Sequence, residues 1–236
     1  MPGVKILVLD IGGTNVKVHA PGHKGPIKIP SGEALTPAKM VKGVLDAVTD
    51  YPFDVVSIGY PGVVVRDKPV TEPVNLGRGW VNFNYRKAFG RPVRMINDAA
   101  MQALGSYKGG RMLFLGLGTG LGSALVIDGV LEPMELAHLP YKKGQSYEDY
   151  IGKAGLKRTG KKKWRRHVTD VIDRFRLALN VDDVVLGGGN AKLMTELPKG
   201  VRLGANANAF LGGYRLWDDT RRNSRSSAAG SIGRGR

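Results

Sequence analysis

The segment from Leu7, LVLDIGGTNVKV, can be laid on the segment from Leu113, LFLGLGTGLGSALV, with Gly12 against Gly118. A second pair follows in the same order: DVVSIGYPG from Asp54 and DVVLGGGN from Asp183. Each half runs strand, glycine turn, strand, helices, strand, glycine turn. A repeat of about one hundred residues is too long for a solenoid. It predicts two related α/β lobes facing each other, an N-terminal lobe over residues 1–97 and a C-terminal lobe over 98–219.

Local patterns fill in these halves. Val4 to Leu9 is an apolar run expected as a buried strand, and Asn15 to Ala20 alternates as a second. Pro37 to Val48 has helical spacing, with Thr36 as N-cap and Pro37 at the first helical position. Asp54 to Ile58 and Val93 to Ile96 read as strands, the latter followed by Asn97-Asp98 at the start of a helix reaching Tyr107. Met112 to Leu115 and Ser123 to Ile127 flank a glycine-rich turn. Gln145 to Ala154 and Trp164 to Leu179 are expected helical. Val184 to Leu186 is the last clear strand, and Gly187-Gly188-Gly189 leads from it into a short helix.

The 236 residues contain no cysteine, which excludes a disulfide framework, a thiolate nucleophile, thiolate zinc and iron–sulfur clusters. No stretch reaches the ~18 apolar residues of a membrane span, and no leader precedes the first strand, so a cytoplasmic protein without membrane contact is expected. Charge is the outlier: 36 Lys and Arg against 20 Asp and Glu give +16. Such a surplus fits a polyanionic partner and equally fits a solubility trait. Seven of the ten residues from Lys157 to Arg166 are basic. Residues 220–236 hold five Arg and almost nothing to bury, and are expected as a disordered basic tail.

Five motifs could carry chemistry. In Asp10-Ile11-Gly12-Gly13-Thr14, paired glycines let backbone N–H groups approach an anion, Thr14 offers a hydroxyl, and Asp10 can hold Mg²⁺ directly or through water. A hairpin turn is the plain alternative. Gly116 to Gly122 is a glycine-rich loop between strands. It matches neither the dinucleotide fingerprint nor a Walker loop, and its place in the repeat favours phosphate over a simple turn. Gly187 to Asn190 lies between a strand and a helix, where a nucleotide phosphate or an ordinary turn would fit. Asp98 could accept a proton from a substrate hydroxyl, or serve as an ordinary helix cap. Glu135 and His138, at i and i+3, could share a helix face and bind sugar hydroxyls, with Glu148 downstream.

Taken in order, Asp10 to Thr14, Ile96-Asn97-Asp98-Ala99, Gly118-Thr119-Gly120 and Glu135 to His138 resemble the ROK family of sugar kinases, and most closely its polyphosphate-glucokinase-like branch. The likeness runs from about Val4 to Tyr214. It implies a two-lobed, actin-like α/β fold of the duplicated ribonuclease H type, with an interlobe cleft. It implies a glucokinase that moves a phosphoryl group from polyphosphate and/or ATP to the 6-hydroxyl of glucose. Asp98 would be the general base. Asn97, Glu135, His138 and Glu148 would hold the sugar, Glu148 being placed by the run Ser146 to Ile151. Gly12, Gly13, Thr14, Gly118, Thr119 and Gly120 would serve the phosphates, Asp10 would hold Mg²⁺, and Gly188 and Gly189 would meet a nucleotide. A cytoplasmic homodimer is expected.

Two departures stand out. Many members carry a Cys-rich zinc site after the Glu–His motif, and this chain has no cysteine, so His138 is expected to bind sugar without zinc. Some relatives are repressors with an N-terminal helix-turn-helix, for which no room is expected ahead of Val4. The rivals are a nucleic-acid-binding protein, which leaves Asp10, Asp98 and the Glu–His pair unexplained, and a catalytically silent sugar sensor.

Overall fold

The structure, a computed structural model, describes residues 3–205 and 207–218. The expected tail, residues 220–236, lies outside the described residues. Elements in chain order are β1 (Ile6–Ile11), β2 (Asn15–His19), β3 (Ile27–Pro30), α1 (Pro37–Ala47), β4 (Val55–Tyr60), β5 (Val64–Val65), β6 (Lys68–Pro69), α2 (Tyr85–Phe89), β7 (Val93–Asn97), α3 (Asp98–Ser106), β8 (Arg111–Leu117), β9 (Leu121–Ile127) and β10 (Val130–Met134). A 3₁₀ turn (Leu136–His138) leads to β11 (Pro140–Lys142), β12 (Gln145–Ser146), α4 (Tyr147–Ile151), α5 (Lys153–Leu179) and β13 (Asp183–Gly187). After a second 3₁₀ turn (Ala191–Leu193) come β14 (Val201–Leu203) and α6 (Asn208–Arg215).

Two five-stranded sheets carry the repeat. One has the order β3-β2-β1-β4-β7, the other β10-β9-β8-β13-β14. In the first, β1, β4 and β7 are parallel while β2 and β3 run antiparallel. In the second, β8, β13 and β14 are parallel while β9 and β10 run antiparallel. The strands paired by sequence, the one at Leu7 with that at Leu113 and the one at Asp54 with that at Asp183, hold equivalent places. In both sheets a strand–turn–strand hairpin is followed by a parallel crossover, which needs a covering helix.

Helix signals at the sequence level hold where a cap is local. Thr36 accepts from Lys39 N–H before Pro37. Asn97 caps α3. The expected helix at Gln145 to Ala154 is instead β12, then α4 closed by a Ser146/Asp149 capping box, then an extended Gly152. α5 begins earlier than its apolar spacing indicated, at Lys153, and is interrupted at Gly160, whose φ of 73° no helical residue has. Glu135 and His138 do not share an α-helical face: Glu135 precedes the 3₁₀ turn that His138 ends. A single 3₁₀ turn likewise replaces the short helix expected after Gly189.

Helix α3 is the joint between the sheets. Its small residues Ala99, Ala100 and Ala103 pack with Met112, Phe114, Ala124 and Val185 of the second sheet. Its Met101 packs with Val8 of β1 and with Ala209 and Phe210 of α6. The α3–α6 crossing is close because Gly105 and Gly212 face it. A Cβ on Gly212 would fall on the Met101 carbonyl, and one on Gly105 on the Asn208 carbonyl. α6 therefore turns back from the second sheet to cover the first.

Candidate active site

Asp98 stands where β7 ends and α3 begins. The cap that starts the helix is Asn97, whose Oδ1 accepts from Ala99 N (2.9 Å) and Ala100 N (3.2 Å). Asn97 Nδ2 also donates to the Gly62 carbonyl (3.1 Å), tying the β4–β5 turn to the site and leaving one amide hydrogen for a ligand. Capping thus falls to Asn97, and Asp98 Oδ1 accepts from the adjacent Ala99 N–H (2.8 Å). The Asp98 carboxyl retains a partial opening, yet its surroundings are dense. Burial, and after it the negative charge of Asp10, push it up to about 7, against the pull of backbone N–H groups and the Lys17 ammonium. A carboxyl near 7 suits general-base work at neutral pH.

Asp10, nearly buried, lies on β1 opposite Lys17 on β2. Lys17 Nζ donates to Asp10 Oδ2 at 3.1 Å. Sequence reading passed over Lys17, although strand alternation set against Asp10 carried the signal. The duplicate loop has no such pair: the matching position to Asp10 is Gly116, paired with Gly122. Among the described residues no group of three His, Asp or Glu could hold a metal ion. One carboxylate, with Oδ1 unbonded among the described residues and a glycine turn beside it, nevertheless fits Mg²⁺, which keeps most of its waters and needs few protein ligands.

Both glycine turns are closed by a backbone bond from their first glycine, over three residues in the first and two in the second. Gly12 N donates to Asn15 O, and Gly118 N to Gly120 O, both at 3.1 Å. Ser31 Oγ secures the first turn through Gly12 O (2.6 Å). Gly13, Thr14 and Thr119 are exposed on their turns. The third glycine turn leans on the second: Asn190 donates from its backbone to Leu117 O and from Nδ2 to Gly118 O. Gly188 packs against the Leu117 carbonyl, while Gly189 faces open space. The structure thus brings 118–120 and 188–190 together.

The expected sugar-binding residues gather around the start of β9. Glu148 Oε2 accepts from Leu121 N (3.0 Å), which leaves its other oxygen free. That approach needs Gly120, since a Cβ there would sit 2.1 Å from Glu148 Oε2. Ser123 Oγ, on the same strand, accepts from Leu136 N (3.2 Å) and donates to Met134 O, fixing the turn that carries Glu135 and His138. Both of those side chains are exposed and make no hydrogen bond among the described residues. Ala99, next to Asp98, lies against Gly122. The stretch Gly120–Ser123 is therefore the hub that links the Asp98 segment, Glu148 and the Glu135–His138 turn. Ser123 was not foreseen, because a buried strand serine carries no signal in sequence.

Two lobes on equivalent sheets, two glycine turns and a raised carboxyl on the joining helix define an α/β protein with its candidate site where the two sheets meet. A family model of the ROK family matches residues 6–132, more than half of the chain, and the chain belongs to that family. It is 28% identical over 178 residues to a polyphosphate glucokinase of Mycobacterium tuberculosis, covering 69% of this chain and 67% of that protein. The fold is that of the inorganic polyphosphate/ATP-glucomannokinase of Arthrobacter sp. strain KM (TM-score 0.76, 22% identity, 91% of this chain and 98% of that one). It is also that of a ROK family glucokinase from Streptomyces griseus solved with glucose and AMPPNP (TM-score 0.71, 15% identity, 90% and 98%). The fold is thus the two-lobed, actin-like α/β architecture. Among the described residues no helix is long and apolar enough to cross a membrane.

Proposed function

We propose that the protein is a sugar kinase that transfers the terminal phosphoryl group of polyphosphate and/or ATP to the 6-hydroxyl of glucose. The observation that carries this reading is the Asp98 carboxyl, lifted to about 7 at the junction of the two lobes. Glucose as acceptor and polyphosphate as donor are supported by the mycobacterial relative. ATP is supported by the fold neighbours.

Glu148, through its free oxygen, and Glu135 and His138 bind the sugar hydroxyls, with Asn97 supplying one amide hydrogen. Asp98, ionised, takes the proton of the 6-hydroxyl as its oxygen attacks the terminal phosphorus. The oxygen bridging to the rest of the donor leaves with the bond electrons. The Gly12–Thr14 and Gly118–Gly120 turns offer N–H groups and hydroxyls to the phosphate oxygens, where positioning and charge stabilisation supply most of the acceleration. Mg²⁺, held at Asp10 directly or through water, would neutralise charge on the phosphates. Lys17 holds the Asp10 carboxylate in place through its 3.1 Å contact. Gly188 and Gly189 flank the path of a nucleotide when ATP is the donor.

The polyphosphate reading has a geometric support. α5 starts against the second phosphate turn, with Lys153 N donating to Thr119 O (3.1 Å). Its exposed Lys161, Lys162 and Lys163 follow directly after the interruption at Gly160, with no side-chain partner among the described residues. Trp164 anchors this stretch through Ile151 O, so the lysines face outward. The test is glucose 6-phosphate formation measured in parallel with polyphosphate and with ATP, in Mg²⁺ and after chelation. Product with either donor, abolished by chelation, is expected. Sugar binding without product from either donor would overturn the enzyme reading in favour of a sensor. In the working protein a cytoplasmic homodimer is part of the same proposal.

A further inference from the structure

A cavity of about 490 Å³ lies in the N-terminal lobe, between the β5–β6 hairpin, the segment before α2 and the first residue of β7. That residue, Val93, is five positions before Asp98, about 16 Å along an extended strand. Arg66, Lys68 and Arg86 line the cavity, with Phe83 and Tyr85 as its aromatic wall. We infer that this cavity is a second binding site for a phosphate-type polyanion, separate from the phosphate turns of the interlobe site.

Three observations carry the inference. First, the cations are available. Arg66 and Lys68 are exposed, and their side chains have no hydrogen bond or ion pair among the described residues. Arg86 is held loosely at the cavity wall, donating to Val93 O at 3.5 Å and lying 3.6 Å from Asp67. Second, the local acids are already engaged. Asp67 Oδ1 accepts from Met95 N (3.0 Å), and Glu72 is taken by the N–H groups of Gly79, Trp80 and Val81. From residue 73 to 97 the chain has five cations, Arg78, Arg86, Lys87, Arg91 and Arg94, and no acid. Third, the hairpin tip is built from Arg66 and Asp67, both in the left-handed region (φ 50° and 62°), where a two-residue connection prefers Asn or Gly. The Asp67 side chain accounts for its own presence by its bonds. Among the described residues no hydrogen bond or ion pair accounts for Arg66 there, whereas an anion in the cavity would.

The volume falls in the range of small-ligand sites, and its charge selects a compact, multiply charged anion. This inference does not require polyphosphate to be the phosphoryl donor. The test is calorimetric titration of the full chain with inorganic tripolyphosphate, over a range of salt, for the wild type and for Arg66→Gly with Lys68→Ala. If the interlobe site also takes the probe, the wild type shows two classes of site and the variant one. If it does not, the wild type shows one class and the variant none. Either way one class disappears or weakens at least about tenfold, as expected for lost charge-assisted contacts. The dependence of its log affinity on log salt becomes shallower by about one per cation removed.

Arg66→Gly alone relieves the left-handed residue, so the melting temperature should hold or rise while affinity falls. A purely structural arginine would not separate these two readouts. Turnover with ATP should be unchanged. The inference is overturned if wild type and variant show the same number of classes with the same salt slope. It is equally overturned if the variant loses affinity for a single-stranded oligonucleotide and not for tripolyphosphate.

Discussion

Lys17 and Asp10 face each other across the first hairpin with 3.1 Å between ammonium and carboxylate, and both act on the charge of Asp98. Asp10 raises the Asp98 carboxyl and Lys17 lowers it. The Asp98 carboxyl is thus tuned by an ion pair on the same sheet, with β4 between β1 and the β7 end that Asp98 follows.

For Asp98→Asn, turnover should fall by about 10²–10⁴-fold or more, since the amide cannot accept the proton. Sugar binding, measured by equilibrium titration, should persist. Near-normal turnover would remove Asp98 from the base role.

The same substitution should change stability in a pH-dependent way. A carboxyl raised to about 7 in the folded state resists ionisation there, while the unfolded chain ionises near the ordinary value. Wild-type stability therefore falls as pH rises from about 4 through 7 on account of this group. Asp98→Asn should melt higher than wild type at pH 8, and the difference should fade by pH 4. Equal melting curves at pH 8 would show that Asp98 is not held in a costly environment.

A pH profile of kcat/KM should show an acid limb near 7, with activity lost below it as Asp98 is protonated. Lys17→Met removes a cation that favours the Asp98 anion, so the limb should move to higher pH. A limb that stays put, or moves to lower pH, would contradict the coupling.

Gly120→Ala should raise the KM for sugar by about tenfold with little loss of stability. The added Cβ would displace the Glu148 carboxylate, the end of a flexible side chain, from Leu121 N. Losing such a charge-assisted hydrogen bond is worth about 1.5–3 kcal/mol in binding geometry. Initial-rate kinetics with glucose and thermal melts check both halves.

Replacing Lys161, Lys162 and Lys163 together by Ala should weaken polyphosphate use, leave ATP use intact, and flatten the salt dependence of polyphosphate kinetics. The three side chains are exposed, so the fold should not change. Identical salt response in the variant would return them to an ordinary solvated helix face.

What the sequence made legible follows from where information is local. Strand–glycine turn–strand segments and side-chain caps announce themselves, so Gly12, Gly118, Thr36 and Asn97 could be placed directly. The short outer strands β3 and β14 carry only four and three residues, too few for the alternation of Ile27 to Pro30 to stand out, and escaped notice. The Glu135–His138 turn was read as α-helix because i, i+3 spacing does not separate α from 3₁₀ geometry. Lys17, Ser123 and Gly120 matter through partners far along the chain or across a strand pair, and such pairings exist only after folding. α6 was missed for a related reason: its small residues look like weak helix formers until the α3 backbone is set against them.

That last contact bears on the order in which the chain can fold. Val8 in β1 lies against Gly213, and the buried Ser57 hydroxyl donates to Gly213 O and accepts from Trp217 Nε1. During synthesis the strands of the first sheet emerge well before these partners do. Until residues 208–217 are made, β1 and β4 present an uncovered apolar face and Ser57 lacks its hydrogen bonds. The N-terminal half is therefore not a unit that matures first and waits. Its final packing waits until residues 208–217 have been made, so completion of the first sheet is coupled to synthesis of the segment that follows the second.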